Sequence, residues 1–417
     1  MTPNRDIMTL GLGLEEPWKI VDQWLNTDKS PHELYIRISA DRGSRFPCPQ
    51  CGELCKAHDF KEFTWRHLNF FQHHCYLTAD VPRIKCEQHG VLRINVPWAR
   101  EGSQFTLLFE QVAMTLVREM PVASAAQLMA ITDKRLWRVV DHYVGRAMSR
   151  LDLSELVGIG LDETAIRHHE YVTVFVDLDH PSRPVIFAVP GKGKECLKAF
   201  NEHLEKHGGN SSNVAEVVCD MSPAFLAGAK EQFESADITV DWFHVVKLFT
   251  DAVDKVRRME HKLPDFPKSL RWAVLKGEEQ AKTERQQLAL QELENSYFAT
   301  ATAYRIKELL RWIRHAQTAQ AAKWRITRFI SHAENQVEGD RLLAPVKRAL
   351  NTFKKYSDKI ARRWASDHTN ARLEGLNSLF QSAKSKARGY RNDRTFITMI
   401  YLIGAPIEEL LKGDLRV

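Results

Sequence analysis

The chain has 417 residues, of which 44% are hydrophobic and 27% are charged, and its formal net charge is +6. This length predicts about two to four domains, and the apolar content is sufficient for well-packed cores. No run approaches the roughly 18 apolar residues of a membrane-spanning helix, and the opening residues MTPNRDIMTLGLGLEEPW lack the pattern of a signal peptide. We therefore expect a cytoplasmic protein with no membrane partner, associated with the nucleoid if it binds DNA.

Two short motifs near the N-terminus, CPQC and CEQH, each place two metal-type ligands on one tight turn. They contribute Cys48 and Cys51, then Cys86 and His89, the closed tetrahedral set of a structural zinc site. One alternative is two buried cysteine pairs without metal; another is a different ligand set. The residues that could compete for the ligand roles are Cys55, His58, His73, His74 and Cys75. The few cysteines cluster early in the chain, which favours a metal over disulfides.

The same region contains β-like runs, among them ELYIRIS, HCYLTADV and VLRINVPW. The long spacing between the two cysteine motifs indicates a β-rich zinc module rather than a short finger. We predict a zinc-binding DNA-recognition domain over residues 1–100.

The stretch PVASAAQLMAITDKRLWRVVDHYV predicts a helix-turn-helix, within a DNA-binding domain over residues 101–153. A turn at 131–132 separates a short helix from a second helix that starts near Asp133, where Thr132 or Asp133 can cap it. The predicted helix contacts place Ala126, Leu128 and Met129 against Leu136, Val139 and Val140. The exposed face of the second helix then carries Lys134, Arg135 and Arg138, as in a recognition helix.

From residue 154 to 260, strand-like and helical patterns alternate in the order β-β-β-α-β-α-β-α. The first three strands suit an antiparallel meander, and the whole order is that of an RNase H-like domain. Asp162 lies inside the first strand, where the adjacent Glu163 is expected to face away from it, and Asp220 ends the fourth. Two carboxylates at the ends of adjacent core strands can hold Mg²⁺, and a third is expected from a later helix.

A basic segment follows a helical, polar stretch over residues 261–345. From Lys359 to Arg394 there are nine Lys/Arg against three Asp/Glu, a charge pattern typical of polyanion binding. Within it, helical spacing puts Glu374 among uncharged polar residues on one strip, with apolar residues on another side that would pack onto the sheet. The strip is Asn370, Glu374, Asn377 and Gln381, and the apolar side is Leu373, Leu376, Leu379 and Phe380. A lone anion on such a strip favours a metal-binding carboxylate over a solvated helix face.

Taken together, these motifs resemble the DDE transposases of the insertion-sequence L-three (ISL3) type. The resemblance rests on the order and spacing of CPQC, RIKCEQHGVLRINVPWA, the helix-turn-helix, GLDET, VVCDMSPAF, DWFHVVKLFTDAVDKVRR and NARLEGLNSLFQSAKSKARGYRN. It implies Asp162, Asp220 and Glu374 as the catalytic triad, and residues 261–345 as a helical insertion. Asp241 and His244 match a signature at the start of such insertions, with a structural hydrogen bond as an equal alternative.

The predicted fold class is α+β multidomain: an N-terminal β-rich zinc-binding module, a helix-turn-helix, and an RNase H-like α/β core interrupted by an all-helical insertion. The core then spans residues 154–260 and 346–417. The expected cofactors are Mg²⁺ or Mn²⁺ at the triad and a structural Zn²⁺.

The expected partner is double-stranded DNA, as the element's terminal inverted repeats and as target, and cutting two ends implies a homodimer. The residues expected to grip phosphates are Lys384, Lys386, Arg388 and Arg391. The alternatives are a non-cleaving DNA-binding regulator of the same descent, or another RNase H-like nuclease. Trp and Arg residues over 311–328 could contact DNA or a second protomer.

Overall fold

The computed structural model describes residues 7–167, 169–263, 266–267, 270–276, 283–366 and 368–412. The chain divides into two compact units. One unit comprises the described residues up to 145 together with 411–412, and the other comprises residues 146–410. Among the described residues, no helix has the length and apolar character needed to cross a bilayer.

The first unit is strand-rich, as its alternating apolar runs predict. After a short helix, α1 (Ile7–Gly11), six strands form one sheet in the order β1-β2-β5-β4-β3, with β6 paired to β5. The strands are β1 (Trp18–Asn26), β2 (Glu33–Ala40), β3 (Arg45–Pro47), β4 (Leu54–Phe70), β5 (His73–Cys86) and β6 (Gly90–Arg93). Ile36 and Ile38 of β2 and Leu77 of β5 are buried on the core face, as a period of two requires. The predicted run VLRINVPW is a strand only as far as Arg93.

Three helices follow: α2 (Leu107–Glu119), α3 (Val122–Leu128) and α4 (Asp133–Met148). The predicted start of α4 at Asp133 is confirmed. Ala126, Met129 and the three residues expected on α4 are buried, but Leu128 is 65% exposed, so its predicted packing was wrong. Leu128 is the last residue of its helix, and the chain turns there before the inner face of α4 can cover it.

The second unit begins with the predicted alternation of strands and helices. Its strands are β7 (Gly158–Arg167), β8 (Glu170–Asp177), β9 (Val185–Pro190), β10 (Glu216–Cys219) and β11 (Asp237–Val240). The interspersed helices are α5 (Glu195–Lys206), α6 (Pro223–Gln232) and α7 (Trp242–Glu260). β7, β8 and β9 form the antiparallel meander, and β10 and β11 extend the sheet in parallel on the other side of β7, in the order β11-β10-β7-β8-β9.

Helices dominate the next part of the unit, as its polar, Ala- and Gln-rich pattern predicts. They are α8 (Leu270–Leu275), α9 (Glu284–Glu294), α10 (Ala299–Arg314), α11 (Ala319–Val337), α12 (Ala344–Lys355) and α13 (Ser357–Ala361). One buried cluster runs from Val240 through α7 to Ala361. The first helix of this packed group is therefore α7, which precedes the expected boundary at residue 261.

The last helices are α14 (Ala371–Lys386), α15 (Asp393–Gly404) and α16 (Ile407–Leu410). Leu373, Leu376 and Phe380 of α14 are buried against the sheet as predicted, in one cluster with residues of β7, β8 and β9. Leu379 was also expected there but is 50% exposed. The buried apolar arc of α14 is therefore narrower than its leucines suggest.

Candidate active site and metal-ligand clusters

The parallel pairing of β10 with β7 brings the two strand aspartates together. Val218 and Gly160 form the last pair of this ladder, and Asp220 and Asp162, each two residues further along the chain, line the same cleft. Asp162 is 8% exposed. Its Oδ1 accepts a hydrogen bond from the backbone N–H of Glu163 at 2.9 Å. Asp220 Oδ1 accepts from the backbone N–H of Ser222 at 2.8 Å, which orients the carboxyl at the start of α6.

The polar strip of α14 lies against β7, so that strip residues other than Glu374 hold the helix in place. Asn370 donates from Nδ2 to the carbonyls of Leu161 (3.1 Å) and Val218 (3.3 Å), bridging β7 and β10. Asn377 donates from Nδ2 to Asp162 Oδ2 at 2.9 Å, across 215 residues of sequence. Gln381 donates to the Thr164 hydroxyl at 2.8 Å. The strip thus docks the helix on the strand that carries Asp162.

Two glycines of β7 make this close approach possible. A Cβ at position 160 would lie 2.3 Å from Asn370 Oδ1, and one at position 158 would lie 2.8 Å from the His368 ring. Glycines two residues apart share one face of a strand. This face of β7 therefore has no side chain at either position and forms a flat lane on which the segment that precedes α14 lies. The pattern GIG was visible in the sequence and could have predicted such a lane.

His368 anchors this segment between two carboxylates. Its Nδ1 lies 2.8 Å from Glu216 Oε2, and its Nε2 lies 3.0 Å from Asp179 Oδ1. Asp179 also accepts from the backbone N–H of Gly158 at 2.6 Å, and Glu216 accepts from the hydroxyls of Thr239 and Ser366 at 2.6 Å each. This network ties the start of α14 to three strands, and sequence analysis missed it.

An open cleft of about 550 Å³, the acidic cleft, collects the three predicted carboxylates Asp162, Asp220 and Glu374. Its other lining residues include Glu163, His244, Lys247, Asp251 and Asn377. The expectation that Glu163 faces away from the site was wrong. β10 pairs with β7 only as far as Gly160, so beyond that point the strand edge is open and side chains from both faces reach the cleft.

The residues of α7 that face the cleft follow a helical period. His244, Lys247 and Asp251 are spaced by three and four residues and so share one face. His244 Nε2 lies 3.7 Å from Asp162 Oδ1, too far for a hydrogen bond. Lys247 and Asp251 were missed by sequence analysis, although their spacing from His244 could have identified them.

Burial and neighbouring carboxyls raise the pKa of two of the predicted site residues, Asp162 and Glu374. Burial, with further contributions from Asp220 and Asp241, raises the pKa of Asp162 to about 7. Burial and then the neighbouring Asp241 carboxyl raise the pKa of Glu374 well above its usual range. The buried Asp241 Oδ2 has no hydrogen-bond donor among the described residues. A cation in the cleft would neutralise the negative charge of the ionised carboxylates. Carboxylate oxygens are the donors that suit Mg²⁺ or Mn²⁺.

A second group of metal-type ligands lies in the first unit. The ligand atoms of Cys48, Cys51, Cys86 and His89, here called the zinc-type cluster, all lie within 4.8 Å of one another. Cys51 Sγ is 3.7 Å from Cys86 Sγ, and Cys86 Sγ is 3.5 Å from His89 Nδ1. Two soft sulfur-bearing turns that face each other match a structural zinc site. Cys55 and Glu53 form a further group with Cys86, while the seven cysteines are all free.

The cations predicted to contact DNA differ in how free they are. On α4, Lys134 and Arg138 are exposed, whereas the Arg135 guanidinium lies 4.6 Å from the Phe105 ring and donates to Gln104 Oε1 at 3.2 Å. At the end of α14 and just after it, Lys386, Arg388 and Arg391 are exposed. Lys384 instead donates from Nζ to the Ala165 carbonyl at 2.7 Å, which adds a further tie between α14 and β7.

A zinc-type cluster, a helix-turn-helix and a cleft of carboxylates in one chain describe an enzyme that acts on DNA. Comparison with known proteins gives the class. Residues 159–400 match a family model described as "Transposase" of the ISL3 type. Residues 94–144 match the "Helix-turn-helix domain of transposase family ISL3", and residues 44–89 match the "zinc-finger of transposase IS204/IS1001/IS1096/IS1165".

Two relatives agree with these models. The transposase for insertion sequence element IS1001 of Bordetella parapertussis is 26% identical over 371 residues, 85% of this chain and 87% of that protein. The transposase for IS1557 of Mycobacterium tuberculosis is 31% identical over 219 residues, 51% of this chain and 48% of that protein. The chain belongs to the ISL3 family of transposases. It is a DNA-cleaving transposase with a DNA-binding helix-turn-helix and a zinc-ribbon region.

Proposed function

We propose that Asp162, Asp220 and Glu374 form the catalytic triad and hold the divalent cations of DNA strand cleavage and strand transfer. The observation that carries this proposal is that carboxylates from β7, from the position just after β10 and from α14 line one open cleft. The raised pKa values of Asp162 and Glu374 and the unpaired Asp241 Oδ2 support a cation-binding role. Bound Mg²⁺ or Mn²⁺ would activate the attacking hydroxyl and stabilise charge on the phosphate and the leaving oxygen.

The chain's own side chains prepare the cleft for a phosphodiester. Asn377 holds one oxygen of Asp162 and leaves the other facing His244. Lys247 is the one lysine or arginine among the described residues that line the cleft. It is exposed there, and its charge lowers the pKa of Asp162, opposing the larger effect of burial. We assign it to a phosphate oxygen of the DNA, and Asp241 and His244 to accessory positions beside the triad.

We also propose an RNase H-like core over residues 154–260 and 346–417, with a helical insertion over 261–345. The central β7 flanked by an antiparallel meander and two parallel strands supports this classification. The common buried cluster of α7 with the later helices supports an insertion that grows directly out of the core.

For the first unit, we propose Cys48, Cys51, Cys86 and His89 as the zinc ligands and residues 1–100 and 101–153 as two DNA-recognition domains. Lys134 and Arg138 are then the residues that contact DNA, whereas Arg135 is held against the protein by Phe105 and Gln104. The DNA would be the element's terminal inverted repeats and, through Lys386, Arg388 and Arg391, flanking or target DNA. A homodimer acting in the cytoplasm would bring two ends together.

The test uses labelled duplexes from both DNA flanks of this gene, incubated with the purified protein and Mg²⁺. We expect cutting at a fixed position that leaves a 3′-hydroxyl, and loss of cutting in Glu374→Gln with end binding retained. Specific binding by the native protein without any cutting would favour a DNA-binding regulator. Equal cutting by native protein and variant would remove Glu374 from the triad.

A further inference from the structure

Two tryptophans at the junction of α10 and α11 lie outside the buried core. Trp324 is 56% exposed and Trp312 is 36% exposed. Their rings meet edge to face, with centroids 5.6 Å apart. Arg325 lies 5.4 Å from the Trp312 ring and Arg328 lies 5.7 Å from the Trp324 ring. These four side chains form what we call the Trp312–Trp324 patch.

The charge around the patch has one sign. Residues 309–333 contain five Lys/Arg and no Asp/Glu, and the nearest acidic residues in sequence are Glu308 and Glu334. Arg325 has a structural role, because it donates to the Trp312 carbonyl at the end of α10. Capping does not account for Arg328, Lys323 or the exposed Trp324 ring. Single exposed apolar residues are ordinary on a protein surface, whereas neighbouring exposed rings rimmed by polar groups are typical of an interaction site.

We propose that the Trp312–Trp324 patch binds a DNA strand at unpaired nucleotides, with the cations on phosphates and Trp324 stacked on a base. Aromatic rings beside cations are the common means by which proteins hold single strands, because every base has a π-face. One donor of Arg325 is taken by the Trp312 carbonyl, but the planar guanidinium of Arg328 beside the Trp324 ring can present its N–H donors to phosphate oxygens.

The stacking surface sets the preference for DNA form. Bases within a duplex are covered on both faces by their neighbours, so the indole can add affinity only where bases are unpaired. The cations, in contrast, add affinity for any DNA form and lose it with salt. This inference deepens the proposed DNA cleavage, since strand ends and unpaired bases arise when an element end is cut.

The test measures equilibrium binding of the full-length protein to a blunt duplex and to the same duplex with an oligothymidine overhang. We expect Trp324→Leu to weaken binding to the overhang substrate by about tenfold, with little change on the blunt duplex. Trp324→Phe should recover part of this loss. Arg328→Gln should weaken binding to both substrates and reduce the salt slope by about 1.

Trp272→Leu is the matched control, because Trp272 is 57% exposed on α8 and Arg271 lies 4.9 Å from its ring. It should bind both substrates as the native protein does. Equal overhang preference in Trp324→Leu and native protein overturns the proposal. A Trp324→Leu variant with unchanged DNA binding but an altered sedimentation coefficient would instead assign the patch to a second copy of the chain.

This experiment needs neither the element's own ends nor any cutting. A protein that fails to cut its flanking DNA but shows the Trp324-dependent preference would refute the proposed cleavage and retain the patch. Normal cutting with no such preference would do the reverse.

Discussion

The zinc-type cluster is made by two turns of the chain, each contributing a pair of ligands three residues apart. The acidic cleft is made by side chains from β7, α7 and α14 and from the turn after β10, and Asn377 contacts Asp162 from 215 residues away. In the cluster, two of the three cysteines are buried and the ligand atoms close on one point. In the cleft, the carboxylates line an open surface.

The two groups therefore depend on their surroundings in opposite ways. Thiolates and an imidazole on two tight turns can bind a metal ion, and the bound ion then stabilises both turns. The free energy of metal binding therefore contributes to the free energy of folding. Carboxylates gathered on a sheet repel each other, so the sheet must be stable enough to keep them together without help. Four predictions test this contrast.

The largest effect is expected where the ligands stabilise the fold. Cys86→Ser should lose zinc and unfold the first unit, because structural zinc contributes about 10–16 kcal/mol in small modules, against a typical domain stability of about 5–15 kcal/mol. The second unit should melt as in the native protein. Zinc content by elemental analysis and calorimetry check this.

The matched control is Cys75→Ser, since Cys75 is buried in the same strand but lies outside the zinc-type cluster. It should retain zinc while losing some stability. Native zinc content in Cys86→Ser would contradict the ligand assignment.

The second prediction concerns activity without stability. Asp162→Asn, Asp220→Asn and Glu374→Gln should each lower strand cleavage by about 10³-fold or more, while far-UV circular dichroism and DNA binding stay native. Glu170→Gln, an exposed residue of β8 paired with Arg167, serves as the control and should cut normally. Full activity in any one of the three variants removes that residue from the triad.

The third prediction concerns how pH changes the stability of the metal-free protein and the stabilising effect of Mg²⁺. The folded pKa of Asp162 lies above its ordinary value, so the folded state binds more protons between about pH 4 and pH 7. Metal-free protein should therefore lose stability as the pH rises through that window. Mg²⁺ competes with those protons, so it should stabilise more at about pH 8 than at about pH 5.5.

Thermal melts with and without Mg²⁺ measure this difference. At about 100 times its Kd, a ligand adds ~2.7 kcal/mol, on the order of 5–10 °C for a unit of this size. Glu374→Gln should shrink the Mg²⁺ shift at pH 8. A shift that is independent of pH would contradict cation binding by these carboxyls.

The smallest effect tests the lane that brings α14 to β7. Gly160→Ala places a Cβ against Asn370 Oδ1, and we expect ~1–3 kcal/mol of destabilisation and weaker cleavage. Gly375→Ala is the control on α14 itself, where nothing lies within 4 Å of the added Cβ. It should gain up to about 1 kcal/mol from helix propensity. Chemical denaturation of both variants gives the comparison.

How much could be predicted from the sequence also differs between features set by local spacing and features set by distant contacts. Ligand pairs three residues apart, the start of α4 and the strand alternation depend on local spacing, and the sequence was sufficient for each of these. Leu128 and Leu379 were misplaced because helical period tells which residues share a face, not where the partner surface stops.

Long-range features escaped for a related reason. Glu163 was expected to face away from the cleft because strand residues alternate, but the pairing of β10 stops at the level of Gly160 and leaves the edge open. The Glu216–His368–Asp179 bridge joins three distant segments that have no shared spacing. The polar strip of α14 was found, yet its docking on β7 could be seen only with the strand in place.

The bridge through His368 has a consequence for the protein during its own synthesis. A ribosome-bound chain that has emerged only as far as β11 carries Asp162 and Asp220. It has neither α14, which carries Glu374, nor His368, which anchors the start of that helix. Domains generally fold as units from the N-terminus during synthesis, so the zinc-type cluster and the helix-turn-helix are formed before α14 is made. With Glu374 in the proposed triad, the protein gains the competence to cut DNA only after translation has passed α14.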